Sequence, residues 1–211
     1  MALKAADFHA AAAPVVAQMK ADKLDQKHYS DALDAAGRQY VDLVMEGGGV
    51  LGIALAGYIY LLEQAGLRFA ALGGASAGSI TALVLAALDE PSAAKADRLV
   101  EVVANIPMAS FMDGKDERDD DARDFINTML QRPGLAKGLW KAMQILDNLD
   151  EMQGLNRGDR FHEWLTEVLA RSGIRTTRAL RQRMAATPLG WHLRPGSLHA
   201  VSQLDGQPTL P

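Results

Sequence analysis

Two glycine turns, Glu46-Gly47-Gly48-Gly49-Val50-Leu51-Gly52 and Gly74-Ala75-Ser76-Ala77-Gly78, decide the fold of this chain. The first turn follows the apolar run from Val41 to Met45, and the second precedes the apolar run from Ile80 to Leu88. Each turn therefore lies between a predicted strand and a predicted helix, and two parallel strands joined by a helix form a βαβ unit. The spacing predicts an α/β protein with three layers, α/β/α, around a mainly parallel central sheet.

The second turn has the pattern of a nucleophile elbow, because Ser76 lies between glycines at i−2 and i+2. Such a turn holds the serine in a strained backbone conformation and requires small neighbours. The serine would stand at the N-terminus of the following helix, where unpaired N–H groups and a partial positive charge favour a developing oxyanion. We therefore predict Ser76 as a nucleophile, with Gly74 and Gly78 as the glycines of its elbow.

The first turn also matches the dinucleotide-binding pattern G-x-G-x-x-G, which requires an acidic residue about 20 residues further on to bind the ribose. The sequence has no acidic residue between Glu63 and Asp89. This absence disfavours nucleotide binding. The remaining functional interpretation is an oxyanion hole, in which the N–H groups of Gly47, Gly48, Gly49 and Gly52 face the serine.

These two turns, one βα unit apart, resemble the patatin-like phospholipase family over residues 41 to 88. Glu46 to Gly52 is similar to the oxyanion loop of the family, and Gly74 to Gly78 to its nucleophile elbow. A weaker similarity covers Gly154 to Phe161. The resemblance implies a lipid acyl hydrolase with a Ser–Asp dyad, no histidine and no cofactor. This chain differs from many members of the family at Leu51, where they have a lysine or an arginine.

The general base of the family is the aspartate of an Asp-Gly-Gly or Asp-Gly-Ala turn, and this chain contains neither tripeptide. Asp113-Gly114 follows Ser76 too soon and opens an acidic loop. Asp205-Gly206 lies at a suitable distance but six residues from the end of the sequence. We expect that this chain is an N-terminal portion of a longer enzyme whose base lies outside it. The alternative function is an inactive or truncated domain that binds lipid or a protein partner.

An α/β-hydrolase is a separate alternative, since its histidine follows the serine in the chain. His162, His192 and His199 all follow Ser76. We interpret His162 as a partly exposed residue of an amphipathic helix, and the other two as parts of a poorly patterned tail. None of the three is predicted to be catalytic.

Composition limits the classes of partner. The chain has 211 residues, enough for one domain with a core, and a net charge of −4, which gives no electrostatic reason to expect nucleic-acid binding. Without cysteine there is no thiolate metal site, and no metal or cofactor is predicted. The uncharged stretch from Phe69 to Leu88 is as long as a membrane span, but its central glycines favour strand, turn and buried helix. We expect a cytoplasmic protein that contacts membrane surfaces transiently to reach a lipid or acyl-ester substrate.

The remaining segments are predicted as helices around this unit. Residues 1–38 are predicted to form a helical arm broken near Pro14, followed by the main domain over 39–211. A helix from Ala93 to Ala104 is expected to have Ser92 as its N-cap. Apolar residues at helical spacing between Leu135 and Leu149 indicate a helix that covers the core or meets lipid. The stripe from Phe161 to Leu169 indicates another helix, ended by Gly173, and the arginines between 171 and 183 are interpreted as a solvated helix face.

Overall fold

The computed structural model of this protein describes residues 5–48, 53–107, 111 and 158–196. The chain divides into two compact units, one formed by residues 1–106 and 168–211 and the other by residues 107–167. The boundary predicted between residues 38 and 39 remains a prediction. The described elements are α1 (Ala5–Ala21), a 3-10 turn (Leu24–Gln26), β1 (Ala32–Leu33), β2 (Gln39–Met45), α2 (Ile53–Gln64), β3 (Leu67–Gly74), α3 (Ala77–Leu88), α4 (Ala96–Ala104), α5 (Asp159–Arg171), α6 (Thr177–Met184) and β4 (His192–Leu193).

The four strands form one mixed sheet in the order β3-β2-β1-β4. Strands β2 and β3 are parallel, as the βαβ spacing predicts, and their register runs from Gln39 opposite Leu67 to Met45 opposite Gly74. The other two pairs are antiparallel. Within the described residues the sheet is therefore mixed rather than mainly parallel, because a short turn joins β1 to β2 and a short turn can only reverse the chain.

The turn between β1 and β2 is held by the buried carboxylate of Asp34. It accepts hydrogen bonds from the backbone N–H groups of Ala36 (2.9 Å) and Arg38 (3.0 Å), from the Arg38 guanidinium (2.7 Å) and from the Tyr40 hydroxyl (2.9 Å). Burial alone would raise the pKa of Asp34, but the hydrogen bonds from Tyr40 and Arg38 outweigh it and lower that pKa below its usual value. The ionised carboxylate thus stabilises the hairpin that fixes the first residues of β2.

The core of the first unit lies between the sheet and helices α2, α3 and α4. Ile59, Phe69, Leu85 and Leu99 are almost completely buried there. Helix α3 buries residues all around its circumference, which agrees with the apolar sequence predicted for it. At the end of α2, Gly66 has φ +82°, the left-handed conformation expected of a glycine that ends a helix.

Helix α4 begins three residues later than the sequence predicts, and Ser92 is not its N-cap. The N-cap residue is Lys95, whose side chain makes no capping hydrogen bond. The buried carboxylate of Glu63 in α2 instead accepts hydrogen bonds from the N–H groups of Lys95 (2.9 and 3.0 Å) and Ala96 (2.9 Å). The cap was missed because its residue lies 32 positions away in the sequence.

Helix α1 is continuous through Pro14, so the predicted break is wrong. A proline inside a helix removes one hydrogen bond and disfavours the preceding turn, but α1 has packing contacts on both sides of it. Before the proline, Phe8 and His9 make edge-on ring contacts with Tyr60 of α2. After it, Met19 is buried. These contacts hold the two halves in one helix.

In the second unit, the rings of Phe111, Phe161 and Trp164 contact one another at centroid distances of 5.3–5.9 Å. Phe161 and Trp164 belong to the apolar stripe predicted between Phe161 and Leu169, and Phe111 packs against them. In the first unit, α5 ends at Arg171, and Gly173 caps it as predicted, with φ +79° and a hydrogen bond from the Ile174 N–H to the Leu169 carbonyl. The predicted helix between residues 135 and 149 lies outside the described residues.

Candidate functional site

Ser76 has a strained backbone at the junction between β3 and α3. Its φ of 50° and ψ of −124° place it in a region that residues with a side chain rarely occupy. Strain of this kind costs about 1–3 kcal/mol and persists only where the surrounding structure imposes it. The conformation agrees with the strained turn predicted from the Gly-x-Ser-x-Gly pattern.

The two glycines that flank Ser76 allow the chain to fold back on itself. A Cβ added at Gly74 would lie 2.3 Å from the carbonyl carbon of Gly78, and a Cβ added at Gly78 would lie 2.4 Å from the carbonyl oxygen of Met45. Both distances are far below van der Waals contact. Any side chain at either position would therefore separate α3 from the ends of the two parallel strands.

The first glycine turn lies directly against the serine. A Cβ added at Gly47 would lie 2.6 Å from the Cβ and 3.3 Å from the Oγ of Ser76. The Ala75 N–H donates a hydrogen bond of 3.0 Å to the carbonyl of Met45, the last residue of β2. The structure thus brings Gly47 and Ser76 together. Gly48 is the next residue of the loop, whereas Gly49 and Gly52 lie outside the described residues.

Ser79 stabilises the turn in a way that sequence reasoning missed. Its hydroxyl donates a hydrogen bond of 2.6 Å, and its backbone N–H one of 2.9 Å, to the carbonyl of Ser76. A serine three residues after the elbow serine is the available sequence signal, since serine and threonine hydroxyls commonly bond to nearby backbone groups. These two bonds hold the carbonyl of the strained residue and offset part of its conformational cost.

The two ends of α3 have complementary electrostatic surroundings. Its N-terminus, with a partial positive charge, begins immediately after Ser76. Near its C-terminus, Lys95 Nζ lies 3.4 Å from the Asp89 carbonyl oxygen, and the Arg183 guanidinium donates hydrogen bonds to the carbonyls of Ala87 and Ser172. Arg183 is therefore not part of a solvated face, as the sequence suggested, but joins α6 to the carbonyl end of α3.

Lys95 is completely buried, and burial lowers the pKa of its ammonium to about 8. Nearby Glu63 and Asp89 oppose this shift because they favour the charged form. Sequence reasoning gave no role to this lysine. Its position is explained by the carbonyl end of α3, which attracts a cation.

The side chain of Ser76 is exposed, and within the described residues its hydroxyl has no hydrogen-bond partner. His162 is an exposed residue of α5, and His192 is an exposed residue of β4 whose Nδ1 lies 2.7 Å from the Gly190 carbonyl. Asp205, Asp113 and His199 lie outside the described residues. The described structure therefore presents a serine and a glycine loop, and the base stays a prediction.

The described residues contain neither a metal-binding cluster nor a membrane-spanning helix. No group of three or more His, Asp or Glu side chains there could hold a metal ion. No helix among these residues is long and apolar enough to cross a membrane.

Comparison with known proteins identifies relatives of the chain. Residues 43–205, more than half of the sequence, match the family described as patatin-like phospholipase. The uncharacterized protein YqhO of Bacillus subtilis (strain 168) is 32% identical over 136 residues, an alignment that covers 64% of this chain and 38% of YqhO. No solved structure matches the chain.

Proposed function

Because this chain belongs to the patatin-like phospholipase family, we propose that it is a lipid acyl hydrolase that cleaves carboxylic esters through an acyl-Ser76 intermediate. Family membership supports a serine hydrolase acting on lipids in general. The assignment of Ser76 as the nucleophile depends on one observation: Ser76 has a strained conformation at the N-terminus of α3, and Gly47 lies against its side chain. We also propose the three-layer α/β/α architecture for the complete domain.

In the proposed reaction, the Ser76 oxygen attacks the ester carbonyl as a base removes its proton. The carbonyl oxygen gains the negative charge, and the tetrahedral intermediate then expels the alcohol to leave an ester on Ser76. Water attacks this acyl ester in a second step and releases the fatty acid. An exposed serine between two glycines leaves room for a bulky acyl ester to approach.

The proposed oxyanion hole consists of backbone N–H groups of the glycine loop, Gly47 to Gly49, together with the N-terminus of α3. Preorganised N–H donors can stabilise an oxyanion by about 3–4 kcal/mol each. Gly47 supports this assignment because its Cα lies close enough to Ser76 that only hydrogen fits between them. Gly52 is proposed as a further member of this oxyanion hole.

The proposed base is an aspartate, with Asp205 as the weaker candidate within this chain and a residue of a longer protein as the stronger one. The alignment covers 38% of the length of YqhO, which fits a base that lies in a longer protein. An aspartate can act only when it lies within hydrogen-bond reach of the serine, directly or through one water.

Fluorophosphonate labelling with mass-spectrometric mapping tests the proposal. We expect covalent modification at Ser76, none in the Ser76→Ala variant, and unchanged labelling in a Ser172→Ala control. Loss of hydrolysis of p-nitrophenyl esters should accompany the loss of labelling. If the folded 211-residue chain is not labelled but a longer protein that carries an Asp-Gly-Gly or Asp-Gly-Ala turn is labelled, the base lies outside this chain. If neither protein is labelled or active, the second candidate, a non-catalytic domain that binds lipid, gains support.

A further inference from the structure

A pocket of about 290 Å³ lies between helices α1, α2 and α4 of the first unit. Its walls are almost entirely apolar. The residues that line it include Phe8 and Ala11 of α1, Ile53 and Ala56 of α2, and Val100 and Val103 of α4. This volume is close to the lower end of the range for small-molecule sites, about 300–1,000 Å³.

The pocket is at the same end of the sheet as Ser76. Helix α2 starts after the glycine loop, so its first residue, Ile53, lies five residues beyond Gly48 and can be at most about 18 Å from it along an extended chain. Helix α4 runs antiparallel to α2: Lys95 at its start contacts Glu63 near the end of α2, and its last residue, Ala104, lines the pocket. The start of α2 and the end of α4, which line the pocket, therefore lie at the end of the sheet where the parallel strands β2 and β3 terminate.

The lining favours an uncharged, apolar group. Asp7 is the acidic residue at the wall, and no basic residue is among those that line the pocket. A phosphate or a carboxylate inside the pocket would find no cation there, whereas an alkyl chain would bury apolar surface at each methylene. A fatty acid would therefore place its chain in the pocket and keep its carboxylate outside it. Ile53, the first residue of α2, is a large apolar residue with 42% of its surface exposed.

We propose that this pocket binds the acyl chain of the substrate and that α1 thereby sets chain-length preference. The proposal rests on the proposed acyl-hydrolase function. Phe8 and Ala11 precede residues 43–205, which match the family, so this wall is supplied by a segment outside the matched residues. Packing of Phe8 against Tyr60 and contact of His9 with Asp97 (3.5 Å) hold α1 in place over the pocket.

Titration calorimetry with decanoate, the product acid of a ten-carbon ester, tests the pocket without any need for turnover. Ala11→Phe fills the pocket from its exposed rim, and Ala10→Phe makes the same change at an exposed position of α1 that does not line it. We expect the wild type and Ala10→Phe to bind decanoate equally and Ala11→Phe to bind it at least tenfold more weakly. A tenfold loss corresponds to the affinity that roughly two buried methylene groups contribute. Equal binding by the two variants, or no binding by the wild type, would overturn the proposal.

A series of p-nitrophenyl esters separates this proposal from the proposed function. We expect the ratio of kcat/KM for decanoate ester to that for acetate ester to fall at least tenfold in Ala11→Phe and to stay unchanged in Ala10→Phe. Turnover with an unchanged ratio would support the hydrolase function and refute the acyl pocket. Absence of all turnover would refute the hydrolase function of this chain, and decanoate binding would then decide the pocket by itself.

Discussion

Gly47→Ala tests the central geometric claim, that the glycine loop lies against the serine. The new Cβ would start 2.6 Å from the Ser76 Cβ, so the two groups must separate by about 0.8 Å to reach an ordinary contact near 3.4 Å. A misplacement of about 1 Å at a reacting centre costs on the order of 100-fold in rate. We therefore expect the rate of fluorophosphonate labelling at Ser76 to fall by about 100-fold.

The loss should be confined to the site, because Gly47 is exposed and its loop can shift without opening the core. Gly57→Ala is the matched control: the nearest atom to its new Cβ is Phe8 Cε2 at 3.8 Å, an ordinary contact, and alanine in a helix is favoured over glycine by about 0.5–1 kcal/mol. This control should label normally and unfold at a higher urea concentration. Labelling of Gly47→Ala at the wild-type rate would refute the close approach of loop and serine.

Three further predictions concern the helices that support the site. Gly78→Ala places a Cβ 2.4 Å from the Met45 carbonyl oxygen and should lower the free energy of unfolding in urea by about 1–3 kcal/mol, the usual range for overpacking; an unchanged midpoint would contradict the contact. Glu63→Ala leaves the buried N–H groups of Lys95 and Ala96 without their acceptor and should cost about 3 kcal/mol in the same assay, and a loss below about 0.5 kcal/mol would contradict its capping role. Lys95→Met removes an ammonium whose pKa falls from 10.5 to about 8 on folding, so at pH 7 it should stabilise the protein by on the order of 3 kcal/mol. Because the unfolded state holds this proton between pH 8 and 10.5 and the folded state does not, the advantage of Lys95→Met over wild type should shrink as pH rises through that window, and a pH-independent advantage would refute the linkage.

Local sequence patterns predicted the βαβ unit well because its signals are contained in neighbouring residues. The glycine turns and the apolar runs of β2 and α3 each depend on residues within a few positions. The strain at Ser76 also followed from its two flanking glycines. In each case the backbone geometry itself requires the residue type.

The features that the sequence did not predict depend on residues distant in the chain. The cap of α4 comes from Glu63, and the cation at the carbonyl end of α3 comes from Arg183, 96 residues beyond the Ala87 carbonyl that it contacts. The continuity of α1 through Pro14 depends in the same way on Tyr60. Local propensity favoured a break and a serine cap at these places, and tertiary contacts outweighed it.

The register of β2 against β3 has a consequence for folding fidelity. Side chains alternate between the two faces of a strand, so a slip by one residue would expose Leu43 and Met45 and bury Val44, which is now 81% exposed. The register that buries Leu43 and Met45 also places Met45 opposite Gly74, from which the elbow begins. Burial of these two side chains thus selects the register that aligns the glycine loop with Ser76, so a chain with a correctly formed core has already placed the loop beside the serine.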